Sequence, residues 1–357
     1  MRRRWSFLSI LIVLASVGCS EPGQKTSGES STLRGSADTQ VSSFDEVFEE
    51  EVSVVLPIGE EQVIGEVATA LRWNGALAIV DRIEAQVLVF SPDGSEVLAR
   101  LGGPGAGPGE FRDPSDAMEA PDGSLWVLDR LRGVIEVFSE TFEHAGRSDW
   151  FSSNQANQFE PAPEVLGEGV IATGRPQLEG ERYSPFAVSF IPSGGAEPRA
   201  LYRIPRPDSR NKSPFLNPFV EVHDEQILIA TRVSDSVWVH DPRTATTSTV
   251  QVGQPIYSPP DWPERDFAGG TDLMEWAQEQ MLFEDMISHG DVLLGVFATF
   301  DATTREKSYH YTVYENGRVS AATGPTAVRL IASVDGRLVA FDELLDGRAR
   351  MTEFSLR

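Results

Sequence analysis

Apolar residues recur along most of the chain in short runs that read as β-strands. Six of these runs have similar sequences and are centred on Phe90, Phe138, Phe190, His240, Tyr314 and Phe354. Their spacings are 48, 52, 50, 74 and 40 residues, and a second apolar run precedes each of them. Self-similarity at a nearly constant period indicates a repeat architecture.

Turn signals separate the apolar runs and set the number of strands in each repeat. They include Pro92-Asp93-Gly94, Pro121-Asp122-Gly123, Asn316-Gly317 and Asp335-Gly336. Many runs are continuously apolar rather than alternating, which is typical of strands that neighbouring sheets cover on both faces. Six units of four strands predict an all-β fold, a six-bladed β-propeller. A pair of β-sandwiches is the alternative architecture.

The last repeat contains three strand-like runs rather than four. The segment Glu51–Ile58 has the composition of a strand and belongs to no other repeat. We expect this N-terminal strand to close the sixth blade as its outermost member, because a ring of sheets cannot leave that edge exposed. The propeller is therefore predicted to span residues 44–357.

The chain alternates between the two faces of a propeller, and its connections divide by length between them. The tight turns are predicted on one face, the short-turn face. The long connections 151–163, 174–185, 205–218 and 253–280 are predicted on the other, the long-loop face. Long, irregular loops favour the long-loop face as the functional one. Residues 253–285 predict one helical insertion, either a lid or a loop that packs its own tryptophans.

Residues 1–18 have a composition unlike the rest of the chain. Arg2, Arg3 and Arg4 precede an apolar run from Trp5 to Gly18. That run is shorter than the ~20 residues of a membrane-spanning helix and predicts a secretory signal peptide.

The end of this segment, LASVGC, resembles a bacterial lipobox, although Ser16 stands where that family usually has Leu. The resemblance implies that Cys19 is acylated and becomes the N-terminus, and Ser20 after it implies the outer membrane or the cell surface. A secreted protein with a free thiol is the alternative. Residues 19–43 contain few large apolar side chains and predict a flexible tether.

The charge of the chain excludes one large class of partners. Its 357 residues include 54 acidic and 30 basic side chains, a net charge of −24. Such a field repels nucleic acid and anionic lipid headgroups, so the lipid anchor is the only membrane contact that we expect. The chain has a single cysteine, which excludes internal disulfides. We also expect the protein to be a monomer.

Residues Leu101–Phe138 resemble an NHL-type repeat. The matching features are Gly-Pro-Gly-Glu-Phe at the entry, the DGSLWVLD stretch and the closing IEVF. The resemblance is weaker in Leu77–Phe90 and covers about a quarter of the chain. It implies the propeller fold and a binding role toward peptides, proteins or RNA, of which the acidic charge disfavours RNA. Because some secreted relatives are enzymes, it leaves activity open.

The sequence shows no catalytic constellation. The five histidines, His144, His223, His240, His289 and His310, have no metal-ligand spacing, and no GxSxG motif is present. We therefore predict no catalytic residue and no resident cofactor. A metal-dependent hydrolase or lyase, with a divalent cation held by carboxylates in the central channel as in lactonase-like propellers, is the alternative.

Arginines gather on the predicted long-loop face. The candidate ligand-binding residues are Arg82, Arg130, Arg175, Arg232, Arg206 and Arg210, together with Trp262 and Trp276 of the insertion. Arginine forks match carboxylate or phosphate groups, and tryptophans could cover an apolar part of the same ligand. The alternative is that Arg82 and Arg130 form ion pairs with the adjacent aspartates or with neighbouring blades.

These features predict a membrane-anchored, extracytoplasmic binding propeller on the periplasmic face of the outer membrane or on the cell surface. We expect it to recognise a protein, a peptide or a small anionic ligand through the long-loop face.

The lipid anchor can be tested directly. Replacing Cys19 with Ala should release the protein from membranes, because acylation of this thiol is the only anchor that the sequence predicts. The measurement is the share of the protein in the membrane fraction after cell lysis, with Ser20→Ala as the control that keeps the thiol. A Cys19→Ala protein that still sediments with membranes would contradict the lipoprotein interpretation.

Overall fold

Six β-sheets contain the strands of the computed structural model, and each of them is one blade. The structure describes residues 39–57, 64–149, 164–166, 169–174, 187–192, 199–203, 218–260, 270–343 and 348–357. The N-terminal elements are β1 (Val41–Ser42), α1 (Phe44–Val47) and β2 (Phe48–Val55). No helix among the described residues is long and apolar enough to cross a membrane.

The first three blades follow the N-terminal elements, each with its strands in chain order from the propeller axis outward. Blade one contains β3 (Val67–Trp73), β4 (Ala76–Asp81), β5 (Gln86–Phe90) and β6 (Val97–Gly102). Blade two contains β7 (Pro114–Glu119), β8 (Leu125–Asp129), β9 (Val134–Phe138) and β10 (His144–Asp149). Blade three contains β11 (Glu164–Leu166), β12 (Gly169–Gly174), β13 (Ala187–Pro192) and β14 (Arg199–Arg203).

The remaining blades add the helical insertion and the ring closure. Blade four contains β15 (Pro218–His223), β16 (Gln226–Thr231), β17 (Ser236–Asp241) and β18 (Thr246–Gln251), and helix α2 (Gly270–Gln278) follows it. Blade five contains β19 (Leu282–His289), β20 (Val292–Asp301), β21 (Glu306–Glu315), β22 (Arg318–Thr323) and then β1. Blade six contains β23 (Leu330–Val334), β24 (Arg337–Glu343), β25 (Ala349–Leu356) and then β2.

The innermost strands form a closed ring. Strands β3, β7, β11, β15, β19 and β23 contact one another in cyclic order, and β23 returns to β3. They therefore surround a central channel, and the predicted six-bladed β-propeller is confirmed.

Strand β4 shows why many runs are continuously apolar. Its Leu77 and Ile79 pack in a cluster with Val339 of blade six. Its Ala78 and Val80 face the other way and pack in a cluster with Leu125 of blade two. Because alternate residues of a strand point to opposite faces, a strand buried between two blades needs apolar residues at every position.

The N-terminal strand closes blade six as predicted. Strand β2 pairs antiparallel with β25, and the backbone N–H of Leu56 donates to the carbonyl of Ala349 at 2.9 Å. The strand begins at Phe48, three residues earlier than expected, and its valines contribute little burial because Val52 is 49% exposed. Phe48 and Leu56, at the two ends of the pairing, are instead buried.

Aromatic side chains hold the closing segment between blades five and six. Phe44 of α1 lies 4.6 Å from Phe48, 5.7 Å from Tyr311 of blade five and 5.4 Å from Phe354 of blade six, measured between ring centroids. The hydroxyl of Tyr311 donates to the carbonyl of Val328, in the connection between the two blades, and accepts from the backbone N–H of Leu330 at the start of β23, each at 2.8 Å. One cluster therefore joins the N-terminal segment to both blades and to the connection between them.

The folded part begins earlier than the predicted boundary at residue 44. Val41 and Ser42 pair in parallel with β22, and the Thr39 hydroxyl donates to the carbonyl of Val319 at 2.9 Å. Residues 39–43 of the predicted tether thus belong to the fold, because the outer edge of blade five offers free backbone groups to them. A run this short carries no strand pattern in the sequence.

The two faces have the predicted connections. The Pro-Asp-Gly and Asn-Gly turns join first to second strands or third to fourth strands, and the strands on either side of the long connections end or begin at the opposite face. The glycine-rich segment before blade two is such a blade-to-blade connection. Arg132 and Arg147 donate to its carbonyls, and the buried Glu136 carboxylate accepts from Gly109 N–H and binds both arginines.

The aromatic cluster predicts where closure is most sensitive to mutation. Phe44→Ala should lower the free energy of unfolding by about 3–5 kcal/mol, since it removes a buried ring that contacts two blades. Val52→Ala on the same segment should lower it by less than about 1 kcal/mol because Val52 is half exposed. Chemical denaturation of both variants measures the difference, and equal losses would contradict this account of closure.

Candidate functional site

Two buried aspartates shape the turns of the long-loop face in blades one and two. The Asp81 carboxylate accepts from the backbone N–H groups of Gly65 and Glu66, before β3, and of Glu84, after β4. The Asp129 carboxylate accepts in the same way from Arg112 and Arg132. Each carboxylate therefore fixes the turn after the second strand against the connection that enters its blade.

The arginines of these two turns form ion pairs with one carboxylate. Arg82 Nε lies 2.7 Å from Asp113 Oδ1, and Arg130 Nη2 lies 2.8 Å from Asp113 Oδ2. Glu66 Oε1 also lies 3.4 Å from Arg82. Burial favours the neutral acid, but hydrogen bonds from the two arginines outweigh it and hold the pKa of Asp113 below its ordinary value. Arg82 therefore pairs with the neighbouring blade, as one of the expected alternatives had it, whereas Arg130 pairs with the residue that precedes the first strand of its own blade.

Arg232 of blade four has a comparable partner. Its Nη1 lies 3.4 Å from Glu284 Oε1 at the start of blade five, and Lys307 lies 3.3 Å from the other oxygen of that carboxylate. The remaining candidates Arg175, Arg206, Arg210, Trp262 and Cys19 lie outside the described residues. The structure thus brings Arg82 and Arg130 together and places Arg232 in another blade.

An aliphatic residue follows the arginine in each of the three turns. These residues are Ile83, Leu131 and Val233, and their exposures are 64%, 49% and 8%. Val233 is buried in one cluster with Leu273 and Ala277 of α2 and with Leu282 of β19, and Trp276 packs at the edge of this cluster. The insertion and the first residue of blade five therefore cover the turn of blade four together, whereas Ile83 and Leu131 are exposed on the same face.

Three acids on the inner strands of blades two, four and five lie close enough to influence one another's pKa. Asp116 in blade two and Asp285 in blade five each follow a β-bulge, and each accepts from the next backbone N–H at 2.8 Å. Glu221 in blade four accepts from Ser288 N–H in blade five at 3.1 Å. Blades two and five are opposite in a ring of six, so the channel brings together acids that are distant in sequence.

The channel keeps two of these acids protonated near neutral pH. Each is partly accessible from the channel, but the surrounding protein replaces most of its water. This desolvation, with the charge of Asp285 nearby, raises the pKa of Asp116 to about 8. Desolvation and the charges of Asp285 and Asp116 also raise the pKa of Glu221 far above its ordinary value.

Sequence reasoning missed this group of acids. In the sequence Asp116 is three residues from Asp113, and such a spacing carries little information in a chain with 54 acidic residues. The two are separated in the structure, because Asp113 binds arginines on the long-loop face and Asp116 lies at the channel. An acid two residues into an inner strand is the signal that could have identified it.

The five histidines lie within strands or at strand ends. His223 Nδ1 lies 2.5 Å from the Ser288 hydroxyl, and His289 Nδ1 lies 2.9 Å from the Ser333 hydroxyl of the next blade. Burial lowers the pKa of His240 and His289, which favours neutral rings. Within the described ranges, no three His, Cys, Asp or Glu side chains are grouped to hold a metal ion.

Comparison with known proteins supports the fold. The sequence profile of the family DUF5128, described as a 6-bladed beta-propeller, matches residues 24–155. These residues include blades one and two. No curated protein matches the chain.

Solved structures are similar over most of the chain. An exported protein from Bacteroides fragilis is 12% identical, over 89% of this chain and 98% of that one, with a TM-score of 0.63. A member of the DUF4221 family from Bacteroides vulgatus is 11% identical, over 88% and 99%, with a TM-score of 0.64. Virginiamycin B lyase from Staphylococcus aureus is 10% identical, over 87% and 100%, at a TM-score of 0.49, which carries no argument about activity. At these identities the likeness shows the β-propeller fold alone.

The channel acids predict an unusual pH dependence of stability. The folded state holds the Asp116 proton up to about pH 8, whereas the unfolded chain releases it near pH 4, so stability falls as the pH rises between these values. Asp116→Asn removes this loss and keeps the acceptor for Ala117 N–H. The difference in free energy of unfolding between the variant and the native protein should therefore be larger at pH 8 than at pH 5, by at least about 1 kcal/mol in favour of the variant.

Thermal or chemical unfolding at the two pH values measures this gain. Asp291→Asn, which makes the same substitution in an exposed turn of blade five, is the matched control. If the Asp116→Asn variant differs from the native protein by the same free energy of unfolding at both pH values, the interpretation that Asp116 is protonated in the folded state is wrong.

Proposed function

We propose that this protein is a lipid-anchored, extracytoplasmic β-propeller that binds a protein or peptide through its long-loop face. The observation that carries the proposal is the exposure of Ile83 and Leu131 on that face. Both lie in turns that buried aspartates hold in place, so the exposed side chains stand on a rigid support. Exposed apolar groups on a rigid scaffold are typical of interaction sites.

The entry of the chain supports the choice of this face. Strand β22 runs from the short-turn face to the long-loop face, and β1 lies parallel to it. Thr39 and Val41 therefore enter the fold from the short-turn face. The long-loop face therefore lies opposite the end at which the described chain enters the fold.

The pairing of the arginines makes a small anion the weaker ligand class. An anion at Arg82 or Arg130 would have to compete with Asp113, which already accepts from both side chains. A protein partner can instead contact the aliphatic residues and leave these ion pairs intact. The exported protein among the similar structures agrees with an extracytoplasmic location.

The metal-dependent alternative has a separate test. A hydrolase or lyase with a channel cation requires a stoichiometric divalent ion in the purified protein, which elemental analysis would detect. That result would favour the enzyme over the binding propeller.

Site-specific photo-crosslinking tests the proposed binding face. A photoreactive amino acid at position 83 or 131 should form protein adducts in the cells that produce the protein, whereas the same group at position 98 should not. Leu98 is the matched control because it is 45% exposed on the outer strand of blade one. Adducts of equal yield at all three positions, or none at 83 and 131, would overturn the proposal.

A further inference from the structure

We infer, building on the proposed function, that the partner occupies Ile83 and Leu131 with an acidic amphipathic helix, as α2 occupies Val233 within this chain. The inference rests on three equivalent turns, one of which is covered by a helix in the structure.

The three turns occupy the same place in their blades. Arg82-Ile83, Arg130-Leu131 and Arg232-Val233 each directly follow the second strand of their blade. In each turn the arginine bonds a carboxylate beside an inner strand, Asp113 in the first two cases and Glu284 in the third. The aliphatic residue comes next in all three. What packs on this residue in blade four is therefore a guide to what fits it in blades one and two.

The covering of Val233 uses one face of a short helix. Leu273, Trp276 and Ala277 stand at positions i, i+3 and i+4 of α2, which places them on one side. Leu273 and Ala277 are buried in one cluster with Val233 and with Leu282 of β19, and Trp276 packs at the edge. One face of a nine-residue helix thus contributes to the cluster that leaves this turn residue 8% exposed.

Charge determines the kind of helix. Helix α2 carries Asp272 and Glu275 and has no Lys or Arg, and it lies on a turn that carries Arg232. In blades one and two the corresponding surface contains Arg82, Arg130 and the exposed Arg112. Among the described residues, Arg112 has no carboxylate within ion-pair distance of its side chain. A helix with acidic residues beside its apolar stripe therefore complements this surface as α2 complements blade four.

The two exposed turns belong to a single surface. Asp113 bonds Arg82 of blade one and Arg130 of blade two, so it ties the two turns together, and one helix can contact both. Glu84 is exposed next to Ile83 and would repel an acidic helix. We therefore expect the acidic residues of the partner helix to lie on the side of Arg112. So small an apolar contact belongs to weak, transient complexes that bury less than ~1,200 Å².

The probe for this inference is a peptide with the sequence Gly270–Gln280 of this chain, constrained as a helix by a side-chain bridge and labelled with a fluorophore. The constraint is needed because an isolated helix of this length is unstable in water, and circular dichroism verifies it. Fluorescence anisotropy should show saturable binding to the full mature chain in detergent. The double variant Ile83→Asp, Leu131→Asp should weaken it at least ~10-fold, as expected when an apolar contact is replaced by like charges.

Two controls separate this contact from others. Leu98→Asp, elsewhere on blade one, should bind the peptide as the native protein does. A peptide with Asp272→Lys and Glu275→Lys should bind more weakly if the acids are recognised. Circular dichroism of each protein variant confirms that it is folded.

Three outcomes would overturn the inference. They are no saturable binding of the constrained peptide, equal binding to the double variant, or a change of oligomeric state in that variant, which would make a second copy of this chain the occupant. The crosslinking experiment distinguishes these failures from a failure of the proposed function. Adducts at positions 83 and 131 without peptide binding would retain the binding face and reject only the helix.

Discussion

The aromatic contact of Phe44 with Tyr311 and Phe354 is the interaction on which the rest of this propeller depends. Each blade packs only against its two neighbours, so the ring holds its shape only if blade six is complete. The N-terminal segment completes it, and its helix places one ring between the last two blades. Once the ring is closed, the inner strands define a channel and the connections define two faces, which is what gives the arginines and the acids their positions.

The sequence was sufficient to predict the architecture because each blade repeats a local pattern. Apolar runs, Asp-Gly turns and the fourth strand missing from the last repeat were all visible, and together they determine six blades and a closing strand. The residues that anchor this strand are harder to predict. The edge strand exposes Val52, whereas Leu56 is buried, and Phe44 and Phe48 pack at the boundary between two blades. Which residues face a neighbouring blade depends on tertiary packing that strand patterns do not record.

The candidate site was less predictable for the same reason. Arg82 could be placed on the long-loop face from its position after a strand, but its partner Asp113 is 31 residues away in the next blade. The channel acids Asp116 and Glu221 are farther apart still and meet only because the ring brings their blades together. The spacing of residues along the sequence predicts contacts within one strand or turn. The contacts of Arg82 and of the channel acids depend instead on how the blades are arranged around the propeller axis.

Repetition makes differences between blades informative. The turns that carry Ile83, Leu131 and Val233 have the same position and the same preceding arginine, so their intrinsic exposure should be similar. Val233 is the buried one of the three, and the cluster that buries it includes helix α2. A buried aspartate holds each of the two open turns, so these turns are not regions of weak structure. Their exposed aliphatic side chains are therefore more simply explained as a surface kept for another molecule than as an imperfection of the fold.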